Sequence, residues 1–184
     1  NPLRTVVLGA AGGRMQAGWG PNNFLAIEGV IEGAGDLVIE GDSGRSILSG
    51  TNTYTGQTIV QNGARLFMNG DSSAASGLVS VEDGGTLGGV GIIGGPVNVS
   101  ADGVLAPGDS AVGTLSTTGD VDISALTGGT GTLDFELNAL TGPNDLLDIG
   151  GTLTIGSGVL GLSDFTFTDL GGFEVGTYTL IFSN

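Results

Sequence analysis

A short alternating strand runs directly into a glycine turn in the stretch Val79-Ser80-Val81-Glu82-Asp83-Gly84-Gly85-Thr86-Leu87. Apolar and polar residues alternate through its first three positions, which is typical of a strand that buries one face. The Asp-Gly-Gly triplet then supplies turn residues, since glycine readily adopts the positive φ of tight turns. The same alternation recurs at residues 37–39, 97–99, 121–123, 133–137 and 153–155. The chain is therefore predicted to consist of short strands.

Turn signals separate these strands at regular intervals. Asn62-Gly63, Asn69-Gly70 and Asp102-Gly103 are turn dipeptides. Grouped in threes, the strands give a repeat of roughly 20 residues, the length of one solenoid coil. Each coil buries its apolar face against the next, and about six to eight coils would form a rod of about 30–40 Å. A β-sandwich with hairpin turns is the alternative that this pattern leaves open.

The composition favours an ordered chain with many turns. Of the 184 residues, 38 are glycine, 39% are hydrophobic and only 12% are charged. Disordered segments are low in hydrophobicity, and collagen needs glycine at every third position, so neither class fits. Glycine also interrupts nearly every stretch that is long enough for a helix.

The charge of the chain is strongly one-sided. Four arginines oppose 19 carboxylates, the net charge is −15, and lysine is absent. Such a surface repels the phosphates of nucleic acids and anionic lipid headgroups, so we expect neither as a partner. Cysteine is absent too, and no apolar run approaches the roughly 18 residues of a membrane span. The chain opens within its strand pattern and ends within an apolar run, so we interpret it as a segment of a longer protein.

Three motifs follow one another in the middle of the chain. Residues 48–58 read Leu-Ser-Gly-Thr-Asn-Thr-Tyr-Thr-Gly-Gln-Thr, residues 84–91 read Gly-Gly-Thr-Leu-Gly-Gly-Val-Gly, and residues 105–110 read Leu-Ala-Pro-Gly-Asp-Ser. In this order they resemble the autotransporter-associated β-strand repeat, also called the passenger-associated transport repeat. Two details depart from that pattern: Gln57 replaces a usual glycine, and one extra residue lies before Gly113. The residues that match the motifs are Asn52, Thr53, Tyr54, Thr55, Gly56, Gly84, Gly85, Thr86, Leu87, Gly88, Pro107 and Gly108.

The resemblance covers about residue 27 to the C-terminus and implies a right-handed parallel β-helix with about three short strands per coil. It implies a bacterial surface or secreted protein, in which the repeat lies between a signal peptide and an outer-membrane barrel or another surface anchor. The implied role is a non-enzymatic stalk that supports export, surface display or adhesion. We predict one solenoid over residues 1–184, with N-terminal coils at 1–45, the motif region at 46–118, and C-terminal coils with an aromatic-rich end at 119–184.

The expected partners are flanking modules of the same protein. Uncapped solenoid ends also expose strand edges that can pair with another copy. Head-to-tail self-association into an extracellular filament or surface layer is therefore an alternative function.

The residue types that carry most enzyme chemistry are missing. Without His, Cys or Lys there is no Ser-His or Cys-His pair, no Schiff-base lysine and no imidazole or thiolate for zinc. The run Gly41-Asp42-Ser43-Gly44 resembles a sequence motif of serine proteases. Because the chain has no histidine, Ser43 has no conventional base, and we interpret it as part of a turn. The G-x-G-x-x-G run at residues 89–94 precedes a turn and a strand, whereas a dinucleotide site requires a helix there. We predict no catalytic or cofactor-binding residue and no dedicated metal site.

Carboxylate pairs are the remaining candidates for chemistry. The pairs are Asp120 with Asp122, Asp134 with Glu136, and Asp145 with Asp148. Such pairs can serve glycoside hydrolysis or bind Ca²⁺ weakly, so a carbohydrate-active β-helix enzyme is a further alternative. The interpretation we favour is a polar outer face opposite an apolar inner face.

Few aromatic residues are available to bind a sugar. Trp19 and Tyr54 are the aromatic residues expected at the surface. A later group is expected to plug the end of the core or contact the next module: Phe165, Phe167, Phe173, Tyr178 and Phe182.

Overall fold

The computed structural model describes residues 4–18, 20, 22–41, 44–128 and 130–183. Short strands dominate these residues, as the alternating pattern predicts. They are β1 (Val6–Leu8), β2 (Gly13–Met15), β3 (Phe24–Ile27), β4 (Ile31–Gly33), β5 (Leu37–Ile39), β6 (Arg45–Leu48), β7 (Thr58–Val60), β8 (Arg65–Met68), β9 (Asp71–Ser72), β10 (Val79–Val81), β11 (Thr86–Gly89), β12 (Ile92–Ile93), β13 (Val97–Val99), β14 (Val104–Pro107), β15 (Thr114–Thr117), β16 (Val121–Asp122), β17 (Thr132–Leu137), β18 (Leu146–Ile149), β19 (Leu153–Thr154), β20 (Phe165–Asp169) and β21 (Ile181–Ser183). A 3₁₀ turn at Leu162–Asp164 precedes β20, and the described residues contain no α-helix.

The strands stack into sheets that form three sides of a solenoid. The first sheet has the order β2-β5-β7-β10-β13-β16-β19, and the second has the order β3-β6-β8-β11-β14-β17-β20. The third side contains the sheet β9-β12-β15-β18-β21 and the pair β1-β4. Strand pairing is parallel throughout the described part of the chain. Since a β-sandwich would need antiparallel neighbours, that alternative is wrong, and the predicted parallel β-solenoid is confirmed.

The coil length follows from residues at equivalent positions in the second sheet. Leu66, Leu87, Leu105, Leu133 and Phe165 pair in register from coil to coil. The differences between their numbers give coils of 21, 18, 28 and 32 residues. The first two match the predicted repeat of about 20 residues. The longer two contain the loops at 108–113 and 138–145.

The interior is a column of aliphatic side chains, one layer from each coil. In the first sheet, Val60, Val81 and Val99 pair in register and are each 0% exposed. Every coil thus hides apolar surface that would be open in a single coil, and burial of such surface contributes roughly 25 cal/mol per Å². Ile155 departs from the predicted alternation and is 38% exposed. It follows β19, which is the last strand of its sheet among the described residues, so none of the described strands covers it.

The first motif forms part of the third side although residues 51–57 are not a regular strand. The N–H of Thr53 donates to the carbonyl of Ile31 at 2.8 Å, and the N–H of Asn52 donates to the carbonyl of Asp71 at 2.9 Å. The segment therefore hydrogen-bonds both to β4 before it and to β9 after it.

Candidate functional site

Asn52 is a buried amide that connects three coils. The residue is 1% exposed. Its Oδ1 accepts the N–H of Ile31 at 3.0 Å, and its Nδ2 donates to Oγ of Ser72 at 2.9 Å. A buried polar side chain is tolerated when its hydrogen bonds are made, so these two bonds favour one register between neighbouring coils.

Tyr54 lies inside the solenoid, and the prediction that it is exposed is wrong. The residue is 2% exposed, and its hydroxyl lies 2.6 Å from Oγ1 of Thr58. Burial raises the pKa of Tyr54, while the hydrogen bond with Thr58 opposes that shift. Thr53 and Thr55 are exposed, so the motif alternates as a strand does, and Tyr54 is unavailable as a sugar platform.

The second and third motifs lie side by side, away from the first. Gly88 pairs with Ala106 and Gly89 pairs with Pro107 between β11 and β14 of the second sheet. The motif residues therefore do not converge on one cleft. They distribute over the walls of the solenoid.

Phe67 points away from the interior of the solenoid but is only 4% exposed. The guanidinium carbons of Arg45 and Arg65 lie 4.6 Å and 5.3 Å from the centroid of its ring. A Cβ on Gly88 would lie 3.1 Å from the ring and 2.4 Å from the carbonyl oxygen of Ala106. The glycine of the second motif thus leaves space for an aromatic ring from the preceding coil. Burial and, to a lesser extent, the charge of Arg65 lower the pKa of Arg45.

Residues 108–113, here called the clasp loop, fold back over earlier coils. Asp109 of this loop forms an ion pair with Arg45 on β6. Its Oδ2 also accepts a hydrogen bond from Nδ2 of Asn69 at 2.7 Å. The clasp loop follows β14. It thereby bonds to side chains on β6 and just after β8, which lie three and two strands before β14 in the second sheet.

Gly108 lies where the clasp loop leaves the sheet. Its backbone exchanges two hydrogen bonds with Gly89, at 2.8 Å and 2.9 Å, in an isolated antiparallel bridge. Its φ is +94°, and a Cβ there would lie 2.8 Å from Oδ1 of Asp145 and 2.6 Å from the carbonyl oxygen of Ala111. The glycine of the third motif is therefore required both by its conformation and by its neighbours.

Asp145 fixes the far end of the clasp loop from a position that is only 1% exposed. Its Oδ1 accepts the N–H of Gly113 at 2.8 Å, and its Oδ2 accepts the N–H of Glu136 at 2.6 Å. Burial raises the pKa of Asp145 to about 6; the two N–H groups lower it and the charge of Glu136 raises it. The expectation that Asp145 shares a polar outer face with Asp148 is wrong, because the Asp145 side chain is enclosed by the loop it binds.

Three other carboxylates of the predicted pairs accept hydrogen bonds from turns and strands. The partners are Thr152 N–H for Asp120 (2.7 Å), Ser124 N–H for Asp122 (2.8 Å) and the Thr132 hydroxyl for Asp134 (2.6 Å). Asp145 has both oxygens occupied by backbone N–H groups. The arrangement is that of side chains that secure turns and strand ends. Among the described residues, no group of three or more His, Cys, Asp or Glu is arranged to hold a metal ion.

The aromatic-rich end lines an open, largely apolar cleft of about 390 Å³. The rings of Phe165 and Phe167 stack at 5.7 Å, and those of Phe173 and Tyr178 stack at 5.2 Å. Phe165 and Tyr178 pack against the core as expected of a plug. Three rings remain open to solvent: Phe167 at 44%, Phe173 at 54% and Phe182 at 49%. Trp19 and Ser43, which the sequence singled out, lie outside the described residues.

In the described part of the chain, no helix has the length and apolar character needed to cross a membrane. The fold and its bonds between coils define a parallel β-solenoid. The sequence is similar to that of the adhesin BmaC autotransporter of Brucella suis biovar 1 (strain 1330), with 43% identity over 127 residues. The similar region is 68% of this chain and 4% of that much longer protein, so the chain is related to a small part of an autotransporter protein. No family model matches the chain, and no solved structure matches it.

Proposed function

We propose that this chain is a non-enzymatic stalk segment in the passenger of a bacterial autotransporter-like surface protein, where it supports export, display or adhesion. The observation that carries the proposal is the 43% identity to an autotransporter adhesin over 68% of the chain. The repeat motifs at 48–58, 84–91 and 105–110 support the same assignment. An extracellular location at the bacterial surface follows from that role.

The contacts of the motif residues support a structural role. The side chain of Asn52 binds neighbouring coils, Gly88 makes room for Phe67, and Gly108 packs beside Asp145. Each of these residues joins or spaces the coils, as a stalk requires.

Removal of one whole coil from the parent protein tests the proposal. Val79 and Val97 occupy equivalent positions on neighbouring strands, so deletion of residues 79–96 joins Leu78 to Val97 and keeps the parallel register. The deletion also retains the residues Asn52, Arg45, Asp109 and Asp145, although it removes Gly89 and brings the clasp loop one coil closer to Arg45. We expect a shorter passenger that is still exported and displayed, as measured by protease shaving and antibody labelling of intact bacteria.

Deletion of residues 79–87 is the matched control, because it removes half a coil and exchanges one side of the solenoid for another. This shorter deletion should reduce surface display strongly. Adhesion of bacteria to host cells, normalised to the amount displayed, should change little in the whole-coil variant. Complete loss of adhesion or of an enzymatic activity with display intact would contradict a stalk role.

Self-association is a second candidate, supported by the strands at the C-terminal edge. In the described residues, β19, β20 and β21 each pair on one side only. Unpaired strand edges can template pairing with another chain. Negative-stain electron microscopy of the purified chain tests this: regular fibres favour a filament subunit, and monodisperse particles contradict it.

A further inference from the structure

The clasp loop is held at its two ends by carboxylates of different character. Asp109 pairs with a cation, Arg45. Asp145 has no cationic partner among the described residues and binds only N–H groups, those of Gly113 and Glu136. Its own N–H donates to the carbonyl of Glu136 at 3.0 Å. Asp145 therefore joins the clasp loop to β17 through three hydrogen bonds.

A cleft of about 300 Å³ borders this junction and concentrates negative charge. Asp134 and Glu136 reach it from β17, Asp145 reaches it from the loop before β18, and Arg65 lies on its β8 side. The element β20 contributes the neutral Thr168. On the clasp loop the charged group is Asp109, which is already paired.

Glu136 lacks a partner for one of its carboxylate oxygens. Its Oε2 is buried and accepts no hydrogen bond. A buried acceptor without a donor is costly, and more so when it is charged. The charge of Glu136 therefore disfavours the ionised form of the buried Asp145 carboxyl beside it.

We propose that Asp145 is a proton-dependent clasp, which holds the loop 108–113 tightly against the solenoid in acid and loosens it near neutral pH. With a proton on Asp145, its buried carboxyl is neutral and is no longer repelled by the charge of Glu136. With Asp145 ionised, burial and this repulsion favour brief opening of the loop. Opening would expose the Gly113 and Glu136 amides, which are hydrogen-bonded to Asp145.

The pH range follows from the raised pKa of Asp145. Its pKa is about 6 in the closed structure, against an ordinary value of 3.8. The closed state therefore binds the proton more tightly than an open state in which the carboxyl is solvated. The stabilisation is complete below the ordinary pKa and is lost as the pH rises through about 6.

Hydrogen exchange of the intact chain, followed by NMR and corrected for the intrinsic pH dependence, tests the proposal. Protection of the Gly113 and Glu136 amides should fall about tenfold between pH 5 and pH 7, as expected for one group whose pKa moves from the ordinary value to about 6. Amides of the first-sheet strands β7 and β10 should show no such change. Equal protection of the clasp amides at both values would overturn the proposal.

Two variants identify the groups responsible. Glu136→Gln removes the neighbouring charge, so the transition should move to lower pH and become smaller. Asp120→Asn is the matched control, because Asp120 also accepts a backbone N–H from another coil but is exposed; it should leave the transition unchanged. The ¹³C titration of the Asp145 carboxyl in the unaltered chain gives a readout that needs no variant, and a midpoint at or below pH 4.5 would refute the clasp.

Discussion

Arg45 and Asp109 form an ion pair although 64 residues separate them in the sequence. They belong to coils three positions apart in the second sheet, and Asn69 from an intervening coil binds the same carboxylate at 2.7 Å. The guanidinium also lies over the ring of Phe67 at 4.6 Å. The clasp loop is thus a brace between coils, in addition to the nearest-neighbour stacking that holds a solenoid together.

Asp109→Ala should destabilise the chain by about 1–3 kcal/mol, because it leaves a largely buried guanidinium without its carboxylate. The side chains of Arg45 and Asp109 are 22% and 15% exposed, so solvent screens the pair only in part. Urea denaturation of the intact chain measures the change. A double-mutant cycle with Arg45→Ala should give a coupling energy above about 0.5 kcal/mol.

The pair Arg14–Glu40 is a control for this measurement. Its atoms approach to 2.6 Å, but the side chains are 68% and 26% exposed. An exposed ion pair of this kind contributes about 0–1 kcal/mol, so Arg14→Ala should change the free energy of unfolding less than Asp109→Ala does. Similar losses of unfolding free energy for the two variants would show that the ion pair of the clasp loop does not stabilise the solenoid.

Asn52→Ala should destabilise the chain by about 2–4 kcal/mol. The substitution leaves the N–H of Ile31 and the hydroxyl of Ser72 without their buried partner and creates a small cavity. Thr53→Ala, at the adjacent exposed position, should change stability by less than about 0.5 kcal/mol. Urea denaturation of both variants measures the difference, and equal midpoints would exclude a role for the Asn52 bonds in stability.

Much of the solenoid could be predicted because its main signal is local. Alternation at residues 79–81, 97–99 and 133–137 gives both the strands and their buried apolar faces, and the structure differs only at Ser80, which is buried too. The turn signals then define the coil length. Stacking of equivalent residues follows, since a coil has no other place to bury its apolar face.

The bonds that brace the solenoid could not be predicted, because they join residues that no local pattern connects. The sequence shows Arg45, Asn69 and Asp109 as ordinary surface residues, and the structure brings them together by folding a loop backwards. Asp145 was misplaced for the same reason, since its burial depends on that loop. Tyr54 was misplaced because residues 52–58 show no apolar alternation in the sequence, and only the structure places Tyr54 on the inner face.

Val99→Asp and Asp122→Asn test the inner and outer faces of the first sheet. Val99 is 0% exposed, so an unpaired carboxylate there should cost several kcal/mol, about 3 or more. Asp122 points outward and is replaced by a residue that keeps the acceptor oxygen, so the expected change is below about 0.5 kcal/mol. Thermal denaturation compares the two variants. Equal decreases in melting temperature would contradict the assignment of Val99 to the inner face and Asp122 to the outer face.

The Asp122 variant also has an expected pH dependence. The hydroxyl and the N–H of Ser124 lower the pKa of Asp122, so its contribution to stability is present above the ordinary value of 3.8 and is lost as the pH falls through the lowered pKa. The small difference between Asp122→Asn and the unaltered chain should therefore vanish once the pH falls below the lowered pKa of Asp122. This sign is opposite to that expected for Asp145, so the contributions of the two carboxylates to the pH dependence of stability can be told apart.

Comparing Gly108→Ala with Gly63→Ala distinguishes the stability cost of backbone strain from the cost of a steric clash. Both glycines have positive φ, +94° and +72°, so both variants incur the cost of an L-residue in that region, about 1 kcal/mol or more. A Cβ at Gly63 has nothing within 4 Å, whereas one at Gly108 would lie 2.8 Å from the Asp145 carboxylate. Gly108→Ala should therefore cost at least about 1 kcal/mol more in urea denaturation and should increase exchange of the Gly113 amide. If the two alanine variants lose equal stability, the contact between Gly108 and Asp145 is relieved without cost, and the clasp loop does not depend on the glycine of its motif.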